Sequence, residues 1–214
     1  IPLPPLEEQR RIVARIEELM ERIREARHLR QKAREDTERL WQATLADVFP
    51  RPGTALPPGW RWVKLGEVAK IYSGSPAPQN SEYFRDGHQP FVRVSDLSSA
   101  DNNQISRTKD YLNDKAKSLR LKKAPKGTIV FPKSGAAILT NARAILEVDA
   151  FIVSHLAAIE VDGSLADRLW VFRWLQTVDM GQQIENPSYP SLRLSKIKQL
   201  VLPLPSLEEQ RRIV

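Results

Sequence analysis

The chain has 214 residues, enough for one sizeable domain plus an extended element. It has no cysteine, no apolar run of membrane-spanning length and no signal peptide, and its three histidines (His28, His88, His155) lack metal-ligand spacing; disulfides, thiolate chemistry and a bound metal are not expected, and a cytoplasmic protein is. The net charge of +7 is uneven: residues 1–49 hold ten Lys/Arg and ten Asp/Glu, whereas residues 50–214 hold 23 against 16, a balance that suits a polyanionic partner such as DNA.

The chain opens on Pro2-Leu-Pro-Pro-Leu-Glu-Glu-Gln-Arg-Arg-Ile-Val13, and the same run returns as residues 203–214 with one change, Pro5 against Ser206. An interval of about 200 residues is too long for a solenoid repeat, so the repeating unit is a domain plus its connector. Each copy has the chemistry of a helix start. Proline sits where a missing N–H does no harm, Ser206 is a good N-cap, and paired glutamates occupy the first turn, where the helix dipole favours them.

Residues 5–49 are expected to form one long helix, since nothing from Leu6 to Phe49 is glycine or proline. Ile12, Ile16, Leu19, Ile23 and Ala26 step by four and three, and the seam continues more weakly through Ala33, Thr37 and Leu40. About 45 residues at ~1.5 Å each make a rod of roughly 65 Å. It is polar on most of its surface and needs a partner helix along its seam. Trp41, Leu45, Val48 and Phe49 at its far end are suited to packing on something globular.

A Pro/Gly linker at 50–58 leads to a domain at 59–205, and 206–214 begin a second connector helix, the first being 1–49. Trp60 and Trp62 alternate with charged residues as in a strand, and further strands are expected at 90–95, 127–132, 144–148, 152–161 and 196–205. Residues 165–176 read as an amphipathic helix. The fold class is α+β: a mixed domain with short irregular strands, preceded by a long helix that pairs antiparallel with a partner helix.

The motifs carry little catalytic chemistry. Asn186-Pro-Ser-Tyr189 resembles the Asn-Pro-Pro-Tyr of amino-group DNA methyltransferases, but its third position departs from it. No glycine-rich cofactor loop, Walker loop or nucleophile elbow accompanies it, so a turn is expected there and no cofactor. Lys133-Ser134-Gly135 after a strand supplies donors on a loop whose glycine allows close approach. Tyr189, Ser191 and Arg193 form a second polar cluster, and His155 reads as a structural histidine. Arg107 to Lys133 holds nine Lys/Arg against Asp110 and Asp114.

These features resemble the specificity subunits of type I restriction–modification systems. The resemblance rests on the doubled Pro-Leu-Pro-Pro-Leu-Glu-Glu-Gln signature, Trp62-Val-Lys-Leu-Gly66, Tyr72-Ser-Gly74, Pro90-Phe-Val-Arg-Val-Ser-Asp96, Gly127-Thr-Ile-Val-Phe-Pro-Lys-Ser-Gly135 and Ser154-His155. A second glycine usual in the family after Ser134-Gly135 is replaced here by the run starting at Ala136. The resemblance implies a non-catalytic target recognition domain that reads half of a bipartite double-stranded DNA sequence. It implies that the long helix pairs with that of a second half or copy, docks methyltransferase subunits, and meets the restriction subunit through the complex. Connector first and domain second is the order of a half-subunit, a permuted chain or the later part of a longer one. The expected DNA-facing residues are Arg93, Lys133, Ser134, Asn141, Arg143, Tyr189, Ser191 and Arg193, with Lys122, Lys123 and Lys126 on phosphates. The competing expectation is a coiled-coil scaffold whose basic domain binds another protein.

Overall fold

A computed structural model describes residues 3–214, so the first residue of the repeated motif, and the first two of the connector expected at 1–49, lie outside the described residues. The chain divides into two units, Ile1–Val48 and Phe49–Val214. The first is α1 (Leu6–Val48), an uninterrupted helix of 43 residues with Glu7 and Glu8 in its first turn. Its flank is laced by i,i+3 and i,i+4 pairs such as Arg15–Glu18 (2.6 Å) and Arg22–Glu18 (2.8 Å). Exposed pairs of this kind add only a few tenths of a kcal/mol each. The seam residues lie open: Ile12, Ile16, Leu19 and Ile23 are 42–54% exposed, Leu40 is 71% exposed, and Ala26 and Ala33 are exposed as well.

The second unit runs β1 (Arg61–Lys64), α2 (Leu65–Val68), β2 (Ala69–Ser73), β3 (Gln89–Val92), α3 (Val94–Ser98), β4 (Gln104–Ile105), β5 (Asp110–Leu112), β6 (Lys123–Ala124), β7 (Ile129–Pro132), β8 (Ala144–Leu146), β9 (Ala150–Ile152), β10 (Leu156–Val161), α4 (Arg168–Thr177), α5 (Leu194–Gln199), β11 (Val201–Leu204) and α6 (Leu207–Ile213). The strands form a five-stranded sheet, β2-β10-β7-β8-β4, a four-stranded sheet, β5-β3-β9-β6, and the pair β1-β11. The main core draws on both larger sheets: Phe91, Val92, Leu112 and Ile152 from one, Ile105, Val130, Leu146 and Leu156 from the other. A second apolar centre forms around Trp170 of α4, whose ring meets Phe49 at 4.6 Å and Trp60 at 5.4 Å and whose Nε1 donates to the Pro203 carbonyl at 2.9 Å.

Three sequence expectations change. The strand expected at 90–95 stops at Val92, because Asp96 accepts from the Arg93 N–H and starts α3 at Val94. The strand expected at 196–205 is half helix: α5 fills Leu194–Gln199, and only Val201–Leu204 pairs, against β1. Its Leu194-Ser-Lys-Ile-Lys-Gln run buries Ile197 alone, which suits one short amphipathic turn better than a ladder. The strand expected at 152–161 is two strands in different sheets, because the chain turns at 153–155. In the second copy of the repeated motif Ser206 caps α6, its Oγ accepting from Glu209 N–H at 3.2 Å. Gln210 is fully buried there; its side chain donates to the Pro205 carbonyl (2.9 Å) and accepts from Asp167 N–H (2.7 Å).

Candidate nucleic-acid interface

Sheet register gathers the loops into one rim. β7 ends opposite the start of β10, Pro132 facing Leu156, and β2 ends at Ser73 opposite Ala157. Residues after β7 and before β10 therefore emerge side by side. Lys133 N–H donates to the His155 carbonyl at 2.9 Å, and Ser134 Oγ lies 2.6 Å from His155 Nδ1. On one flank Ser73 Oγ donates to the Ser154 carbonyl (2.9 Å) and Ser154 N–H to the Ser75 carbonyl (2.8 Å). Lys122 closes that flank, its N–H on Ser75 Oγ (2.9 Å) and its Nζ on the Ser73 carbonyl (3.3 Å).

On the other flank the 186–192 loop joins through a bridge between Ser134 and Ser191. Gly135 N–H donates to the Pro190 carbonyl and Leu192 N–H to the Lys133 carbonyl, both at 2.8 Å, and Leu192 is buried. Gly135 has φ +78° with open space where a Cβ would lie, so the constraint there is backbone conformation rather than room. Lys133, Ser134, Tyr189 and Ser191 thus meet at one place, although 57 positions separate the two serines. Arg193 lies beside them with its guanidinium 3.2 Å from Glu185, which also holds Lys196 at 2.9 Å.

The other expected residues stand apart from this cluster. Arg93 bridges β3 and α3: its side chain pairs with Asp110, its guanidinium lies over Phe84 and Phe91 (5.5 and 5.2 Å), and its N–H donates to Asp96 (2.7 Å). Arg143 is buried, donating to the Asn141 and Val178 carbonyls, and burial pushes its pKa down to about 10 against the opposing pull of Asp179. Asn141, left-handed at φ +50°, accepts from Met180 N–H (3.0 Å) and donates to Asp179 (3.2 Å). This trio ties the 3-10 turn at Ala136–Thr140 to the one at Met180–Gln183.

The same contacts hold the Asp179 carboxyl below the usual range, chiefly through the Asn141 amide and then the Gly181 N–H. A depressed folded value contributes stability that is complete above the ordinary carboxylate pKa of about 4 and is lost as pH falls through the folded value. Asp179→Asn is therefore expected to flatten the acid limb of the stability profile, as read from calorimetric melting temperatures stepped below about pH 4.

The basic run is partly neutralised by acids distant in sequence. Lys115 pairs with Glu82, Lys123 with Asp149 (3.4 Å) and Lys126 with Glu147 (3.3 Å). Lys122 and Lys133 have no carboxylate partner among the described residues. His155, read from the sequence as structural, is exposed and seated by Ser134. Ser73 and Ser75 are further rim members that the sequence reading passed over; their signal was the strand end at Tyr72-Ser-Gly74. The rim thus offers hydroxyls, an imidazole and cations on loops rooted in a rigid sheet, the donor and acceptor set that reads base edges and phosphates. Among the described residues no group of three His, Asp or Glu is placed to hold a metal, and no helix is long and apolar enough to cross a membrane.

Known proteins place this architecture. The chain is similar to the Type I restriction enzyme MjaIX specificity subunit of Methanocaldococcus jannaschii, 27% identical over 165 residues, which is 74% of this chain and 38% of that one. It superposes along its whole length on half (50%) of the HsdS subunit from Thermoanaerobacter tengcongensis, with 37% identity and a TM-score of 0.66. It also superposes on 51% of a chain solved in work on complex assembly and conformational transition of the type I R-M system, at 35% identity and a TM-score of 0.72. The chain spans about half the length of those two solved chains. Residues 57–214 match the type I restriction modification DNA specificity domain, and the chain belongs to that family.

Proposed function

We propose that residues 59–205 are a target recognition domain that reads one half of a bipartite double-stranded DNA sequence through the rim. In this reading the rim cations meet phosphates, loop side chains meet base edges, and the chain itself catalyses nothing. The observation that carries it is the Ser134–Ser191 bridge, which joins two polar loops distant in sequence on one exposed edge next to Lys133 and His155. α1 serves as the spacer: its open seam accepts a second long helix, from a second copy or a second half, and the paired rod docks methyltransferase subunits, through which the restriction subunit is met. Its 43 residues at ~1.5 Å each span about 65 Å, close to two turns of B-DNA at about 34 Å each. The exposed isoleucines and leucines at heptad spacing support that role.

Selection of duplexes from a random-sequence pool by the full chain is the test; recovery of one short preferred sequence is the expected result, and recovery of none sinks the reading. Salt titration of the selected duplex then sorts the lysines. Lys122→Ala and Lys133→Ala are each expected to lower the slope of log K against log salt by about 1. Lys123→Ala and Lys126→Ala should change it less, because Asp149 and Glu147 already hold those charges.

A further inference from the structure

The polar rim carries one large side chain that its hydrogen bonding does not use. Tyr189 is 81% exposed, on a loop joined to the one after β7 by the Ser134–Ser191 bridge. A ring left in water holds apolar area whose burial by a ligand would be favourable, and its fixed setting and polar surroundings are what point to a ligand.

The loop sets that ring in place. Asn186 Oδ1 accepts from Ser188 N–H (2.9 Å), and the Asn186 carbonyl accepts from Tyr189 N–H (3.1 Å). Pro187 and Pro190 fix φ on either side, and the root is tied down by the Gly135–Pro190 bond and by buried Leu192. A side chain presented on so constrained a backbone loses little further freedom on binding.

Its surroundings identify the cover. Around Tyr189 stand the hydroxyls of Ser134 and Ser191 and the cations Lys133 and Arg193; the acid in the same loop, Glu185, is engaged by Arg193 and Lys196. An apolar ring ringed by cations and hydroxyls fits a ligand that is anionic outside and flat and apolar within. A stacked duplex has that cross-section; an apolar protein patch would leave the rim cations without counter-charges.

We propose that Tyr189 is a wedge: its ring enters the duplex at one base step and stacks on the exposed base face. The proposal rests on the rim being the DNA interface and adds that part of the recognition is of how readily a step opens. Pyrimidine–purine steps, which unstack most easily, are the expected entry point. The Asn-Pro-Ser-Tyr run then has a use without catalysis, since its proline and asparagine shape the turn that presents the ring.

The test uses the full chain and its selected duplex, with 2-aminopurine replacing single adenines in turn. Binding is expected to raise fluorescence at one step with the parent and with Tyr189→Phe. Tyr189→Ala is expected to abolish that rise and weaken binding about tenfold, within the range for one base–aromatic stack. Retained folding of Tyr189→Ala is checked by its melting temperature, which an 81% exposed side chain should not move. Silence at every adenine, with Tyr189→Ala binding as tightly as the parent, overturns the wedge and leaves the rim reading intact. Normal DNA binding by Tyr189→Ala with loss of a methyltransferase subunit in co-purification also overturns it, assigning the ring to a protein contact. If the parent selects no duplex, both readings fall.

Discussion

Trp170→Ala is expected to lower the unfolding free energy by about 3–5 kcal/mol, the range for emptying a buried large aromatic site. Trp170 is fully buried, its ring packs on Phe49 and Trp60, and its indole N–H is the donor to the Pro203 carbonyl. The substitution leaves a cavity beside Phe49 and Trp60 and strips the Pro203 carbonyl of its donor in one step. Against a typical total of about 5–15 kcal/mol, such a loss leaves the domain marginal. For a chain of this size it corresponds to a fall of about 6–20 °C in melting temperature, measurable by calorimetry. Trp170→Phe keeps most of the packing and loses the hydrogen bond, so its fall should be clearly smaller. Equal effects from the two variants would show that the bond, not the ring's volume, dominates.

Gly74→Ala is the second large effect, and it links folding to the rim. A Cβ there would lie 2.1 Å from the Ile152 carbonyl oxygen and 2.4 Å from that of Val153, both backbone atoms that cannot swing aside. β2 and the 153–155 turn would have to separate, at a cost of about 3 kcal/mol or more, the upper end for overpacking. The bonds joining Ser73 and Ser75 to Ser154 lie across that contact, so DNA affinity should fall by more than the residual folded fraction explains. Gly163→Ala is the control, with nothing within 4 Å of its Cβ and an expected change of roughly 0.5 kcal/mol or less. Denaturant unfolding and duplex binding, measured on the same preparations, separate the two effects. If Gly74→Ala melts and binds like Gly163→Ala, the close approach described here is wrong.

What the sequence made legible follows from how local each signal is. The long helix, its seam, the paired helix starts and the apolar strand Ile129–Pro132 all announce themselves by short-range periodicity or capping chemistry, and the structure contains each of them. The split of the 152–161 run does not, because Ile152-Val-Ser-His-Leu156 keeps an apolar character through a turn held by contacts to Ser75 and Lys133. Arg143 looks like an exposed base reader in Asn-Ala-Arg-Ala, yet it is a buried strut that donates to the Asn141 carbonyl and to that of Val178, 35 positions away. The lysine-rich stretch looks unopposed until Glu82, Glu147 and Asp149 arrive from elsewhere in the chain. The rim itself exists only through sheet register and one bridge, so its residues could be guessed singly but their meeting could not.

The charge balance along α1 has its own consequence for handling the protein. Ten cations and ten anions cancel over residues 1–49, so the helix pairing proposed for the apolar seam would be held almost independently of ionic strength, while the proposed hold of the rim on DNA would weaken steeply as salt rises. On that reading the two attachments would answer to different solvents. A rising salt gradient should strip nucleic acid first and leave helix-borne partners in place, and a chaotrope that weakens apolar contacts should be needed to remove those.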